Sequence, residues 1–224
     1  MIKSLLGIIG GMGAQATACF YEKLHTLQSV VVEQDYLDIL LYSKPSIPDR
    51  TAFITGKSPE NPLDSLITAA RTLETAGVSC IAIPCITSHY FYDELARKVD
   101  VPILNLVEET AAFLSERNVR NVCLLATDGT VKGKIFDSAF EKHGISFCVP
   151  ENEDQSKLME LIYDIKCGAA ISPDVLDEIK SKILKEGANA IVLGCTELCI
   201  AVKNTPNTIN TLDVLAEASL RETS

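Results

Sequence analysis

The sequence predicts an α/β protein made of two similar, doubly wound halves with parallel sheets. Short apolar, strand-like runs alternate with helix-like segments along the 224 residues, a pattern typical of parallel strands joined by crossover helices. Two of these runs also end alike. Ile81–Ser88 and Ile191–Leu198 each pass from apolar residues into a cysteine, Cys85 or Cys195, that is followed by threonine within two positions.

The repeat sets the expected domain boundaries. The two cysteines lie about one small α/β domain apart in the chain. We therefore expect an N-terminal domain over residues 1–100, completed by about 208–224, and a C-terminal domain over 101–207. Because open α/β sheets form their ligand crevices at the carboxyl ends of strands, both thiols are expected beside a crevice.

Composition excludes several classes of function. The chain is 47% hydrophobic and 22% charged, which is typical of a globular protein, and its net charge of −10 argues against a nucleic-acid partner. The N-terminal run Met1–Ile9 is too short for a signal peptide and has no cleavage site. We find no apolar segment long enough to cross a bilayer. These features predict a cytoplasmic protein that acts on small molecules.

The first unit is a strand, a glycine turn and a helix. Leu5–Ile9 is predicted to be a buried strand, Gly10–Gly13 a flexible turn, and Ala14–Gln28 a helix. Such a turn presents backbone N–H groups to anions. However, GxGxxG is not matched and no Walker lysine follows, so tight packing explains the glycines equally well.

The second strand leads into a proline-rich loop. Tyr36–Tyr42 is predicted as the strand and Ser43–Thr51 as the loop, since its prolines forbid regular structure. Arg50 lies in this loop and is a candidate carboxylate clamp, although an ordinary surface ion pair is the alternative. The next predicted helix, Leu63–Ala76, ends at Gly77.

The remaining elements continue the alternation, and Thr127–Thr130 repeats the turn-into-helix pattern of the first unit. In chain order we predict a helix at Ser88–Val99, a strand-like run at Val101–Asn105, a helix at Val107–Glu116, a strand at Val119–Ala126, a helix at Val131–His143, a strand at Ile145–Val149, helices at Gln155–Cys167 and Pro173–Glu186, and a closing strand and helix from Ile209 and Val214.

The chain has eight cysteines, and we expect free thiols in a reducing compartment. There is no CxxC pair and the histidines are scattered, so a zinc site is not expected. Cys80, Cys123 and Cys148 lie in strand-like runs and are predicted to be structural. Cys85 and Cys195 each end an apolar run, and we expect a helix N-terminus to stabilise their thiolates.

Two opposed thiols suit one type of reaction. One thiolate removes a proton from a carbon while the other thiol returns a proton to the opposite face. A free thiol has a pKa of about 8.5, so a modest downward shift would make it a base near neutral pH. Threonine hydroxyls and backbone amides at the helix starts would stabilise the carbanion-like transition state of an amino acid.

Four motifs in order resemble one family. Gly7–Gly13, Ile47–Thr51, Pro84–Tyr92 and Gly194–Glu197 are similar to the aspartate racemase branch of the aspartate/glutamate/hydantoin racemase superfamily. The resemblance covers nearly the whole chain. It implies a cofactor-independent amino-acid racemase with two pseudo-symmetric α/β domains, an active site between them and, as a further expectation, a homodimer.

The resemblance also implies roles for individual residues. The paired acid/base cysteines of the family correspond to Cys85 and Cys195. Its two cations for the side-chain carboxylate of the substrate correspond to Arg50 and Lys166. We expect further substrate contacts from Met12, Thr87, Thr127 and Thr196. No pyridoxal phosphate, metal or nucleotide is expected, because we recognise neither a Schiff-base lysine nor a ligand cluster.

One position departs from the family pattern. The family usually has asparagine directly after the first cysteine, where it helps to hold the α-carboxylate, and this chain has Ile86. An isoleucine cannot donate that hydrogen bond, so substrate identity and efficiency are open. Glu197 follows the aspartate-type pattern and is expected either to tune Cys195 or to cap locally.

Alternative functions also fit the motifs. A maleate isomerase-like enzyme would use one cysteine as a nucleophile and would also accept a dicarboxylate. A hydantoin racemase is disfavoured, because Arg50 and Lys166 indicate a dicarboxylate substrate. From a different class, a non-catalytic protein that binds acidic amino acids would fit if Ile86 impairs turnover. A thiol redox protein is less favoured, since thiols that flank a substrate need not approach disulfide distance.

Overall fold

A computed structural model describes residues 4–169, 174–185, 187–202 and 205–224. Of the predicted segments, the first three residues of Met1–Ile9 and both ends of Pro173–Glu186 lie outside the described residues. The described strands are β1 (Leu5–Gly10), β2 (Asp38–Ser43), β3 (Cys80–Ala82), β4 (Asn121–Ala126), β5 (Ser146–Cys148), β6 (Ala190–Gly194) and β7 (Thr208–Asn210).

Helices separate these strands along most of the chain, as the alternating pattern predicts. The described helices are α1 (Ala14–Leu27), α2 (Arg50–Ile54), α3 (Leu63–Thr75), α4 (Tyr92–Ala96), α5 (Leu106–Glu116), α6 (Asp128–Lys132), α7 (Asp137–Lys142), α8 (Asn152–Lys166), α9 (Asp174–Lys185), α10 (Leu198–Ala201) and α11 (Thr211–Glu222).

The strands form two parallel sheets with matching orders. The first sheet has the order β2-β1-β3, and the second has the order β5-β4-β6-β7. An isolated parallel bridge between Ile81 and Ile103 extends the first sheet beyond β3. The equivalent position in the second sheet is occupied by β7, which pairs with β6. The predicted α/β fold with two pseudo-symmetric halves is therefore confirmed.

The matching order extends to the helices that follow. Asn105 accepts hydrogen bonds from Val107 and Glu108 at the start of α5, and Asn210 accepts one from Leu212 at the start of α11. An asparagine in this position satisfies backbone N–H groups that lack a partner within the helix. The helix that follows the last position of each sheet is therefore capped by an asparagine in the same way.

The C-terminal segment contacts both halves. β7 pairs with β6 and so belongs to the second sheet, although we expect residues 208–224 to complete the N-terminal domain. α11 contacts α1 and β3 of the first half as well as α5 and β6. The division into 1–100 and 101–207 remains a proposal.

Two predicted helices are shorter than expected. Val131–His143 is interrupted between α6 and α7, where Lys134 has a left-handed φ of 51°. Any side chain at Gly133 would also meet the Gly129 carbonyl oxygen at 2.7 Å. Ser88–Val99 begins as a 3₁₀ turn and continues only briefly as α4.

The core lies mainly between the sheets and their covering helices. A large cluster of buried apolar residues includes strands of both sheets together with α1, α5 and α11, and a second cluster lies around β3 and α3. Cys80 and Cys123 are buried as predicted, but Cys148 is exposed because β5 is an edge strand. None of the described helices has the length and apolar character needed to span a membrane.

Candidate active site

The two cysteine motifs occupy equivalent places in the two sheets. β3 and β6 both lie directly beside the first strand of their sheet, β1 or β4, and Cys85 and Cys195 follow their carboxyl ends. Both thiols are nearly inaccessible, with 5% of Cys85 and 4% of Cys195 exposed. Parallel strands thus place both cysteines where α/β sheets usually bind ligands.

A direct contact joins the two motifs. The Thr196 hydroxyl donates a hydrogen bond of 3.2 Å to the carbonyl oxygen of Pro84. Thr196 follows Cys195 and Pro84 precedes Cys85, so this bond connects the side chain next to one cysteine to the backbone next to the other. Both groups are buried, which makes the bond costly to break.

Cys195 has a carboxylate as its immediate neighbour. Its Sγ donates to Oε2 of Glu197 at 2.9 Å, and the Thr196 hydroxyl lies 3.4 Å from the same oxygen. Burial raises the pKa of Cys195 well above the usual range of a thiol, and the Glu197 charge raises it further, while Lys166 opposes the shift. Burial and the adjacent carboxylate therefore both favour the protonated thiol at Cys195.

This environment corrects our expectation that a helix N-terminus would stabilise the Cys195 thiolate. α10 is a single turn that begins three residues after Cys195, at Leu198. A short turn contributes little dipole field, whereas burial and an adjacent carboxylate both favour the neutral thiol. The dominant electrostatic effect at Cys195 thus has the opposite sign to the predicted one.

Cys85 is supported by a buried histidine. His89 donates from Nδ1 to the Cys85 carbonyl oxygen at 3.0 Å and accepts from the Leu106 N–H at Nε2, 3.1 Å away. Accepting the Leu106 N–H at Nε2 requires the neutral imidazole, and burial lowers the pKa of His89 accordingly. His89 therefore fixes the Cys85 backbone against the start of α5.

Three buried threonines form a closed ring of hydroxyl groups. The Thr87 oxygen lies 3.0 Å from that of Thr127 and 3.1 Å from that of Thr130, and the latter two are 3.1 Å apart. Thr127 also caps α6 by accepting from the Thr130 N–H. The ring joins the turn after Cys85 to α6 of the second half, and its hydroxyls can rotate toward a carboxylate.

Arg50 and Lys166 lie close enough for their charges to interact. The Arg50 guanidinium is held by the carbonyl oxygens of Ile47 and Pro48, at 3.2 and 3.0 Å. Burial disfavours the charged form of Lys166. The charge that Cys195 carries as a thiolate and the charge of Glu197 act in the opposite direction and raise the pKa of Lys166, while Arg50 lowers it. Among the described residues neither cation has an ion-pair partner, so both are free to bind an anion.

A hydrogen bond holds together the elements that carry these cations. The Tyr163 hydroxyl of α8 donates to Oδ2 of Asp49 at 3.1 Å, while Oδ1 of Asp49 accepts from the Ala52 N–H and caps α2. Asp49 precedes Arg50, and Tyr163 lies one turn before Lys166. This contact therefore sets the spacing of the two cations.

The glycine turn after β1 lies along the same site. The Ser88 hydroxyl donates to Sδ of Met12 at 3.3 Å, which places Met12 beside the turn after Cys85. Gly11 has a φ of 89°, and a Cβ there would lie 2.6 Å from the Pro45 nitrogen. Only glycine allows this turn to approach the proline-rich loop so closely.

A cavity of about 200 Å³ opens between the N-terminus of α1 and the C-terminus of α8, and Gly13, Lys166 and Glu197 contribute to its lining. Ile86, by contrast, is directed into the hydrophobic core, with 1% of its surface exposed. The side chain that replaces the asparagine of the family pattern therefore stabilises packing beneath Cys85.

Several residues at this site have no role in the sequence-based prediction, among them His89, Thr130, Asp49 and Tyr163. His89 lies four residues after Cys85, inside the motif Pro84–Tyr92, and Thr130 ends the predicted turn, so local signals existed for both. The bond between Asp49 and Tyr163 joins residues far apart in sequence, and we found no local pattern that indicates it.

Comparisons with known proteins agree with this architecture. A sequence model of the family described as Asp/Glu/Hydantoin racemase matches residues 9–218. The chain is 26% identical over 220 residues to the broad-specificity amino-acid racemase of Bacillus subtilis (strain 168), covering 93% of this chain and 92% of the relative.

Solved structures give the same result. The chain superposes on the aspartate racemase of Picrophilus torridus with a TM-score of 0.85 and 28% identity, covering 98% of this chain and 94% of the other. An aspartate racemase homologue from Pyrococcus horikoshii OT3 superposes with a TM-score of 0.77 and 27% identity, covering 98% of each chain.

Proposed function

The chain belongs to the Asp/Glu/hydantoin racemase family, and from that premise we propose that it is a cofactor-independent racemase of acidic amino acids. It inverts the Cα of aspartate, with glutamate as the other candidate substrate. Cys85 and Cys195 act as a pair of acid/base groups on opposite faces of that carbon. This proposal also includes a cytoplasmic location and assembly as a homodimer, both of which remain predictions.

The hydrogen bond between Thr196 and Pro84 carries the proposal. It brings the residues adjacent to both cysteines into contact, and the charge of Lys166 interacts with both thiols. A substrate held beside Lys166 would therefore have a thiol within reach on each side. Two acid/base groups around one carbon are what inversion without a cofactor requires.

The unequal environments of the thiols suggest how a turnover begins. In this proposal Cys195 starts as the thiol, which its burial and the adjacent Glu197 carboxylate favour, and Cys85 serves as the base. The Cα proton moves to Cys85 Sγ while the Cys195 proton moves to the opposite face of Cα, leaving Cys85 as thiol and Cys195 as thiolate. Inversion of the other enantiomer uses the reverse protonation, and the nearby Lys166 charge favours that thiolate.

The same geometry suggests how an acidic substrate is held. Arg50 and Lys166 bind its side-chain carboxylate, which removes the repulsion between two unpaired cations. Met12, Thr87, Thr127 and Thr196 surround its α-carboxylate, where hydroxyl donors stabilise the charge that develops as the proton leaves.

A wider substrate range is the second candidate. Ile86 contributes no hydrogen bond from its side chain, so one donor to the α-carboxylate is missing relative to the family pattern. In addition, a broad-specificity racemase aligns along nearly the full chain. Such an enzyme would depend less on the two cations and would also invert neutral amino acids.

A chiral assay tests the proposal directly. The purified protein is incubated separately with L-aspartate, L-glutamate, L-alanine and maleate, and the products are resolved by chiral chromatography. We expect D-aspartate or D-glutamate to form, and activity to survive dialysis against chelator and hydroxylamine.

Other outcomes would point to the alternatives. Comparable rates with alanine would favour the broad-specificity enzyme, and conversion of maleate alone would favour an isomerase with a nucleophilic cysteine. Tight binding of aspartate without exchange of its Cα proton would indicate a binding protein. Loss of activity after either dialysis would contradict the cofactor-independent mechanism.

A further inference from the structure

The residues assigned so far leave one group of an amino-acid substrate without a partner. Arg50 and Lys166 serve its side-chain carboxylate, and the threonines serve its α-carboxylate. The α-ammonium is a cation with three hydrogen-bond donors, and burying it without an acceptor would be costly. A site for amino acids therefore needs a buried acceptor, preferably an anion, near the thiols.

Two buried charged groups at the site each have an atom without a partner. Nε of Arg50 and Oε1 of Glu197 are inaccessible to solvent and make no hydrogen bond with any described residue. One is a donor on a cation and the other an acceptor on an anion. Buried polar atoms are rarely left unpaired in proteins, so such atoms at a binding site indicate ligand contacts. Their opposite signs match the carboxylate and ammonium of an amino acid.

We propose that Glu197 binds the α-ammonium of the substrate through Oε1 while its other oxygen, Oε2, holds the Cys195 thiol. This inference rests on the proposed function, because it assumes that an amino acid lies between the two cysteines. The carboxylate then divides its two oxygens between the acid/base group and the substrate. Glu197 thus becomes a specificity-determining residue in addition to a partner of Cys195.

The position of Glu197 supports this role. Its Oε2 lies 2.9 Å from the Cys195 sulfur, and the ammonium is attached to the same carbon that Cys195 protonates. A group that contacts both is therefore at the right distance from Cα. Only 3% of Glu197 is exposed, so water competes weakly for the contact.

Space for the ligand exists on the side of Oε1. A Cβ built on Gly13 would lie 2.8 Å from Oε1, so the absence of a side chain at Gly13 keeps the approach to this oxygen open. Gly13 and Glu197 both line the cavity of about 200 Å³ described above. Asp49, the other carboxylate near the cations, has each oxygen occupied, by the Ala52 N–H and by the Tyr163 hydroxyl.

The contact has a chemical consequence. An ammonium beside Cα withdraws electron density and makes the Cα proton more acidic than it would be beside a neutral amine. A buried carboxylate keeps that nitrogen protonated. Glu197 therefore selects amino acids over other dicarboxylates and preserves the charge that assists proton removal.

Binding of two matched ligands tests the inference. Racemic aspartate gives no net turnover, so titration calorimetry with it reports binding alone, and succinate differs from aspartate only in lacking the ammonium group. We expect the wild-type protein to prefer aspartate. In Glu197→Gln this preference should fall roughly 10- to 100-fold, the range expected for a hydrogen bond to a charged group, while succinate binding changes little.

Two further variants keep the test decisive. Gly13→Ala places a methyl group against Oε1 and is expected to weaken aspartate more than succinate, and its backbone φ of −106° suits alanine. Arg50→Leu is the matched control, because it should weaken both ligands by a similar factor.

Equal weakening of both ligands in Glu197→Gln, or no weakening of either, would overturn the inference. A wild-type protein that neither racemises nor binds aspartate or glutamate would instead contradict the proposed function. A failure of the inference about Glu197 is therefore distinguishable from a failure of the proposed function.

Discussion

Cys85 and Cys195 occupy equivalent positions in two similar sheets but have very different neighbours. Behind Cys85 lies a neutral histidine that binds its backbone carbonyl. Beside Cys195 lies a carboxylate that accepts the hydrogen bond of the thiol itself. The duplicated fold thus sets where the thiols are, and side chains particular to each half give them different surroundings.

Under the proposed function, the difference would give the two thiols distinct starting roles. A carboxylate in contact with a buried thiol holds the proton on sulfur, which suits an acid at the start of a turnover. A histidine that contacts the backbone carbonyl oxygen positions Cys85 without contacting its sulfur. Two-sided proton transfer requires such an asymmetry, since two thiols or two thiolates would be inactive.

The largest expected effect is the loss of either thiol. In Cys85→Ser or Cys195→Ser, racemisation should fall to background in both directions, because every turnover needs one base and one acid and serine is a far weaker base. Circular dichroism at a single wavelength follows the loss of optical activity. Exposed Cys148 provides the matched control, and Cys148→Ser should racemise at the wild-type rate.

The next largest effect concerns the cations. Arg50→Leu or Lys166→Met should lower kcat/KM for aspartate by about 2–5 kcal/mol in transition-state free energy, since each removes a buried charged contact to the side-chain carboxylate. Any turnover of alanine should change much less. Intact aspartate turnover in Arg50→Leu would show that Arg50 is not part of the site.

A smaller effect distinguishes the electrostatics of the two thiols. Burial and then the Glu197 charge raise the pKa of Cys195, so Glu197→Gln should lower that pKa while leaving it above normal. The alkaline limb of the pH profile, where Cys195 loses its proton and can no longer act as the acid, should move to lower pH. Initial rates with each enantiomer of aspartate between pH 6 and 10 measure this shift, which should appear in the direction for which Cys195 is the acid. An unmoved limb in both directions would separate Glu197 from the titration of Cys195.

The smallest effect concerns stability near Cys85. Burial lowers the pKa of His89 from 6.5, so the unfolded chain binds a proton there more readily than the folded one. Stability from neutral His89 is therefore complete above about pH 6.5 and is lost as pH falls toward its folded pKa. Between pH 7.5 and 5.5, the melting temperature should fall less in His89→Gln than in the wild type. An equal fall of the melting temperature in both proteins would argue against this role of His89.

Much of this comparison follows from the sequence, because strands, turns and their terminal cysteines are local features. Apolar runs that end in Cys85 and Cys195 predicted the two sheets, and the loop prolines predicted the segment that carries Arg50. The pKa of Cys195 was mispredicted, since a helix dipole was expected to outweigh burial and a carboxylate two residues away. Contacts such as that between Thr196 and Pro84 depend on how the two halves pack, and local sequence patterns do not predict that packing.

Solvent exchange at Cα tests the division of labour between the thiols most directly. Each enantiomer of aspartate is incubated in D₂O with Cys85→Ser or Cys195→Ser, and deuterium at Cα is followed by NMR. The remaining thiol should exchange the proton on its own face, so the two variants should retain wash-in with opposite enantiomers. Loss of exchange with both enantiomers in one variant, with both retained in the other, would indicate a single essential cysteine and contradict the two-thiol account.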